Sequence, residues 1–245
     1  MNKFFPLIGF LIAVTVNTLA NFLPLGGRTT GEISQAYPTL FTPAGFTFSI
    51  WGLIYLLLLG YVVYQLATYQ KNKYVVKYVN RMFLIHCLAN SAWIFAWHYE
   101  LITISLIFMV VILSTLISIY VHIYKRRPYK LLSGLFIKVP FSLYLGWIMV
   151  ATIANISVEQ TVVGMEDWLV SKEIWVFVEL ALAGAIASVM LVKYRDFVFS
   201  GVIIWATYGI TQAQESVPEV AGAAAAIMIM VIVTFIIEGV RKVVT

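Results

Sequence analysis

Two runs of side chains repeat at helical spacing and carry groups suited to gripping a flat ligand. His86, Asn90, Trp93 and Trp97 are separated by 4, 3 and 4 residues, and Tyr144, Trp147, Ala151 and Asn155 by 3, 4 and 4. Each set therefore shares one face of a helix. Trp51 and Tyr55 lie one turn apart with Phe48 just before them, and Asn17 and Asn21 repeat the i, i+4 pattern. The chemistry these residues offer is stacking on indole and phenol faces, with amides for a few hydrogen bonds. It is binding chemistry. His98 and His122 fall at helix ends without a carboxylate at helical spacing, and the single cysteine, Cys87, excludes a disulfide framework and a thiolate metal cluster.

The elements that must position these residues are membrane helices. Hydrophobic residues make up 62% of the 245 and charged residues 11%, against roughly 25% charged in soluble domains. Apolar stretches run over about 4–23, 44–68, 82–98, 102–124, 133–157, 173–193, 197–212 and 219–240. A span needs about 20 residues, so the seventh is short. Fourteen of the sixteen Lys and Arg residues occupy alternate gaps: Lys3; Lys71, Lys73, Lys77 and Arg81; Lys125, Arg126, Arg127, Lys130 and Lys138; Lys193 and Arg195; Arg241 and Lys242. The other gaps hold mainly acids. Cationic loops stay cytoplasmic, so both termini are expected inside, in the cytoplasmic (plasma) membrane. The net charge of +5 thus points to the anionic inner leaflet as partner and not to nucleic acid. Lys3 before an apolar run could suggest a signal peptide, but Asn17 and Asn21 interrupt it and no clear cleavage site follows.

That orientation puts most of the aromatic and amide residues in the outer half of the bilayer, beneath the connection 24–43 (PLGGRTTGEISQAYPTLFTP). Loops of that length usually have a task, and covering a site is one. Gly26 and Gly27 widen its backbone freedom, while Pro24 and Pro43 limit motion at its ends. Arg28 has two readings: a contact to a ligand carboxylate, or a salt bridge to Glu32. The residues each have a plainer use as well. Trp97, Trp168 and Trp175 suit an interfacial aromatic belt, Asn17 and Asn21 suit interhelical hydrogen bonds, and Trp93 and Trp147 suit a packed core. His86, a possible axial ligand by type, is expected too deep for the pocket. Glu179 is an intramembrane carboxylate and so a functional candidate, and Lys138 is expected to snorkel to the inner surface.

The run FTPAGFTFSIWGLIY (41–55) resembles the start of the second helix in the translocator protein, or tryptophan-rich sensory protein (TspO/MBR), family. Asn90-Ser91-Ala92-Trp93 is similar to that family's Asn-x-x-Trp. Tyr144-Leu145-Gly146-Trp147, with Ala151-Thr152 and Asn155, resembles its Tyr-x-x-Trp-x-x-x-Ala-Thr-x-x-Asn. The resemblance covers about residues 1–157 and implies a five-helix translocator-like bundle. It also implies binding of porphyrins or other flat hydrophobic molecules, for sensing, transport or turnover. Porphyrin or haem would be a ligand, with no cofactor or metal required. Taken with the stripes and the outer connection, the site residues expected are Phe46, Trp51, Tyr55, Asn90, Trp93, Trp97, Tyr144, Trp147, Ala151 and Asn155, with Arg28 at the mouth. The chain departs from the family at Phe41-Thr42-Pro43-Ala44, which has one Pro and no Trp, at Tyr37, which stands without a loop Trp, and at Leu143 in place of Pro. The missing loop Trp counts against a porphyrin-degrading enzyme more than against binding. The expected fold is an all-α integral membrane protein, with the bundle at 1–157 and a three-helix extension at 158–245. Small residues at Ala181, Gly184, Ala185, Ala187 and 221–226 suit the extension to pack on the bundle, to form a homodimer or to make a second module. A proton-coupled transporter using Glu179 and these helices is the rival reading.

Overall fold

The computed structural model describes residues 4–23, 25–68, 73–125, 131–165, 167 and 169–244, and their side chains except at 68, 73–76 and 242–244. Lys3, Pro24, Lys71, Arg126, Arg127, Lys130, Glu166, Trp168 and Thr245 lie outside the described residues, as do the side chains of Lys73 and Lys242. Among the described residues there are eight long helices, one short one and no strand. They are α1 (Phe5–Phe22), the short α2 (Thr30–Ala36), α3 (Ile50–Thr68), α4 (Lys73–His98), α5 (Ile102–Tyr124), α6 (Val139–Val162), α7 (Lys172–Val192), α8 (Phe197–Ala213) and α9 (Pro218–Val244). Six of the long helices, all but α4 and α8, are long and apolar enough to cross a membrane.

Three boundaries differ from the sequence reading, each for a local reason. The connection 24–43 contains α2, because Thr29 and Glu32 form a capping box that satisfies the free amides of its first turn. The third span begins nine residues early, at Lys73 rather than 82. Its polar Asn80 turns inward, accepting from the Tyr61 hydroxyl (2.6 Å) and donating to Gln65 (3.0 Å). The fifth span starts with a wide turn, Gly134–Lys138, that runs directly into α6, and Pro140, which has no N–H to give back to that turn, follows in the first turn of α6. As expected, α8 is short at 17 residues.

The centre of the molecule is α6. From Pro140 to Val150 every residue is buried, so this helix is surrounded on all sides, as its sequence, apolar all round but for Ser142 and the Tyr144 hydroxyl, requires. On one side it meets α5 and α3, and on the other α8. Its Gly146 makes the second contact possible: a Cβ there would stand 3.0 Å from the Phe199 carbonyl oxygen. At Gly184 of α7 a Cβ would stand 2.9 Å from Ile227 and Met230 of α9. The small residues of the last three helices thus pack those helices against one another, and α8 joins them to the bundle.

At the basic end, the turn between α7 and α8 passes through Arg195 in a left-handed conformation (φ 49°) and delivers Asp196 into the interior, fully buried. Asp196 accepts from Tyr120 Oη (2.6 Å) and Ser142 Oγ (2.6 Å), and caps α8 by accepting from the Phe199 amide (3.2 Å). Lys138 reaches it at 3.6 Å. Lys138 therefore pairs inward and does not simply snorkel to the surface. Three helices, α5, α6 and α8, converge on one carboxylate.

Candidate functional site: an aromatic cavity under a helical lid

At the opposite end, α2 lies over a cavity. Below it, four rings from α3 and α4 form a near-parallel stack. Tyr55 and Trp51 lie 5.7 Å apart, Trp51 and Trp93 6.3 Å, and Trp93 and Trp97 5.9 Å, with interplanar angles of 20–26°. The i, i+4 spacing on each helix produces the stack. Trp147 of α6 closes it edge-on, at 6.3 Å from Trp51 and 5.8 Å from Phe48. The cavity is lined by these tryptophans, by Ala151, Ala154 and Asn155 of α6, by Pro43 and by Thr30 and Ser34 of the lid. It holds only about 40 Å³ of free space. A second chamber of about 290 Å³ shares Thr30, Phe48, Trp51 and Trp93 with it and extends to Tyr55, Asn17 and Asn21.

Of the site residues expected from sequence, Trp51, Trp93, Trp97, Trp147, Ala151 and Asn155 line the first chamber, and Tyr55 lines the second. Asn90 and Tyr144 stand behind the wall. Asn17 donates to Asn90 (2.7 Å) and Asn90 donates to the Tyr144 hydroxyl (3.2 Å), a buried chain joining α1, α4 and α6. Phe46 faces the other way, packing on Trp205 and Tyr208 of α8 at 5.4 and 5.8 Å. His86 lies one turn below Asn90, with Nδ1 3.2 Å from Thr115 Oγ1 and its ring edge-on to Tyr144. The lid residues Thr30 and Ser34 were not singled out from sequence. The Thr29-x-x-Glu32 box was the signal that a helix would hold them there.

Two polar atoms in these walls have no hydrogen-bond partner although they are buried: Trp147 Nε1 and Tyr55 Oη. Buried polar groups are almost always paired, so each such atom needs a reason. Asn155 is better satisfied. It donates to the Ala151 carbonyl (2.9 Å) and accepts long bonds from Trp93 Nε1 and Ser105 Oγ (both 3.4 Å).

The lid is latched to the end of α4. Trp97 Nε1 donates to the Thr30 carbonyl at 3.2 Å. His98 Nδ1 lies 3.0 Å from the Leu25 carbonyl, which can only accept, so in the neutral ring Nε2 accepts from Thr30 Oγ1 (3.0 Å). Gly26 is required here, since its φ is +68° and a Cβ would come within 2.9 Å of the His98 carbonyl oxygen. Arg28 pairs with Glu100, not with Glu32, and Tyr37 donates to the same carboxylate at 2.8 Å. Those two hydrogen bonds, Tyr37's first, hold the Glu100 carboxyl below its ordinary value of 4.5. The Glu32 carboxyl is lowered too, by the Thr29 amide and hydroxyl it accepts from.

The C-terminal helices brace the cavity from outside. The Ala44 amide donates to the Gly209 carbonyl (3.0 Å) and Trp205 Nε1 donates to the Thr47 carbonyl (3.0 Å). A Cβ on Gly209 would fall 2.2 Å from Thr47 Oγ1. The turn Gly45–Ser49, which carries Phe48 and leads to Trp51, is thus held against α8.

A multi-pass helical membrane protein with an indole-walled cavity under a latched helix is the class that this fold and site define. A family model described as "TSPO-like protein" matches residues 3–237. The chain belongs to that family, and the match continues through most of α9, well past residue 157. No curated protein and no solved structure matches it. The family assigns a membrane-bound binding or sensing protein.

Proposed function

We propose that this protein binds a flat, hydrophobic, tetrapyrrole-like molecule on the Trp51–Trp93–Trp147 wall, for sensing, transport or turnover. The observation that carries this is the pair of unpartnered buried donors, Trp147 Nε1 and Tyr55 Oη, set among the stacked aromatic rings of the walls. A macrocycle with ring nitrogens or carboxylate arms offers stacking area to the rings and acceptors to those donors. Ligand pockets usually measure roughly 300–1,000 Å³. The 40 Å³ chamber is far below that range, so binding requires α2 to lift and the two chambers to merge across Trp51 and Trp93. Arg28, now on Glu100, is the cation a ligand carboxylate would recruit when the latch opens. The reading places the lid outside and both termini inside, in the cytoplasmic membrane.

The test is a titration of the protein in nanodiscs with protoporphyrin, followed by tryptophan quenching. Trp51→Ala and Trp147→Ala are each expected to weaken binding by about 1–3 kcal/mol, the scale of one aromatic stacking contact. Trp175→Ala, outside both chambers, is expected to leave affinity unchanged. Unaltered affinity in both wall variants would reduce these residues to packing. Light-dependent bleaching of the bound porphyrin would indicate turnover.

One observation favours the transporter alternative. Glu179 is buried in α7, accepts from Ser157 (2.7 Å) and lines a separate cavity of about 80 Å³ with Gln160, Thr161 and Trp175. Proton-coupled uptake that vanishes in Glu179→Gln while porphyrin affinity persists would support it.

A further inference from the structure

A deep groove opens on the side of the molecule at the basic end, between α5 and α7, with α6 as its floor. It encloses about 560 Å³, more than either chamber of the ligand cavity. Its walls are apolar, with Leu113 and Ile117 from α5, Met149 from α6 and Ile186 from α7. Its inner end is aromatic and braced. Tyr124 meets Tyr194 at 4.8 Å, Tyr120 stacks on Tyr124 at 6.4 Å, and the Tyr120 hydroxyl is fixed by Asp196. Because that end is tied to a buried carboxylate, the groove is a formed recess and not a gap between loose helices.

Two ammonium groups stand at its mouth, those of Lys125 and Lys193. Both are exposed, and among the described residues neither has a carboxylate within ion-pair distance. Lys193 lies 5.6 Å from the Tyr194 ring, which holds it beside the opening. They directly follow the ends of two apolar helices, Lys125 after Tyr124 of α5 and Lys193 after Val192 of α7, where a membrane span meets headgroups. A second groove on the molecule provides the contrast. It encloses about 610 Å³ between α3 and the 131–138 segment, and its lining (Leu56, Gly60, Val63, Tyr64, Ala67, Leu135 and Phe136 among others) carries no charge.

We infer that the α5–α7 groove is a specific site for one anionic phospholipid of the leaflet on the basic side. An acyl chain lies along Ile117, Met149 and Ile186, and the headgroup phosphate rests between Lys125 and Lys193. Charge complementarity selects the occupant: lysines near an anionic surface attract its lipids, and a chain without a charged head would leave both ammonium groups unanswered. The uncharged groove takes lipid without headgroup preference. This site is independent of the tetrapyrrole proposal, since it shares no residue with that cavity.

The experiment measures spin-labelled lipid immobilised by the full chain in phosphatidylcholine nanodiscs, comparing labelled phosphatidylglycerol, phosphatidylcholine and stearic acid. The native protein is expected to favour phosphatidylglycerol over both. Lys125→Gln and Lys193→Gln are each expected to cut that preference about fivefold, while the pair Lys77→Gln and Arg81→Gln, on α4 at the same end, leaves it intact. Ile117→Trp, which fills the groove, should reduce immobilised phosphatidylglycerol even with both lysines present. A preference that survives loss of both groove lysines, or falls equally in the α4 variant, would overturn the site. Equal or stronger retention of stearic acid would overturn the phospholipid as its occupant.

Discussion

The two ends of this molecule are each organised by an acid that accepts from a tyrosine and pairs with a cation, in a turn where a non-glycine residue adopts positive φ. At the lid end the acid is Glu100 (φ 56°), joined by Tyr37 and Arg28 with 41% of its side chain exposed. At the basic end it is Asp196, after Arg195 (φ 49°), joined by Tyr120, Ser142 and Lys138 and wholly buried. The chemistry is shared and the surroundings differ. In water an exposed pair contributes little and exchanges readily with solvent or another anion. Away from water, a carboxylate that loses its partners, or leaves them unpaired, costs several kcal/mol. The fold therefore has one end made to release and one made to hold, and the aromatic cavity lies under the end that releases.

The sharpest way to break this contrast is to remove each acid. Asp196→Ala removes the carboxylate that Lys138, Tyr120 and Ser142 share. It is expected to lower stability by about 3 kcal/mol, the lower end of the range for a broken buried pair because Lys138 keeps some exposure. Denaturant unfolding in detergent measures this, with Asp196→Asn expected to lose less. Glu100→Ala should cost only roughly 0.2–1 kcal/mol. It is expected to show mainly as faster hydrogen exchange of Thr30–Ala36 amides, with the unfolding midpoint almost unmoved. Similar losses in the two variants would erase the distinction between the ends.

Acid gives the smallest effect and the same direction. The folded Glu100 and Glu32 carboxyls lie below their ordinary value of 4.5. Each contributes stability that is present above that value and lost as the pH falls through the lower folded value. Lid protection, with exchange corrected for its intrinsic pH dependence, should be flat from pH 8 to 5 and fall only below about 4.5, as the latch and the α2 cap are protonated together. A loss of protection near neutrality would show that these two carboxylates are not what holds the lid.

Much of this architecture was legible. The eight hydropathic stretches became eight helices, and the i, i+4 patterns at 51/55, 93/97 and 147/151/155 marked the faces that line the cavity. Periodicity assigns a face but not its neighbour, which is why Asn90 and Tyr144 came with the stripe yet stand one layer behind the wall. Phe46 sits in a motif-like run, but its direction depends on α8, more than 150 residues away. Asp196 was invisible for a related reason. Between Lys193, Arg195 and Phe197 it reads as a solvated turn, and only the closing of α5 and α6 around it reveals three donors. The T-x-x-E box of the lid was readable and local, and the low-complexity look of Gly26-Gly27 and Pro24 obscured it.

The lid end is expected to open to admit a flat ligand and to close over it, while the basic end stays shut. Hydrogen–deuterium exchange of the nanodisc-embedded protein, with and without protoporphyrin, tests it most directly. Without ligand, amides of Thr30–Ala36 are expected to exchange far faster than those of Phe199–Ile203. Saturating porphyrin should slow the lid at least tenfold and leave residues 199–203 unchanged. A lid that exchanges as slowly as residues 199–203 without ligand, or that ligand does not protect, would contradict the account.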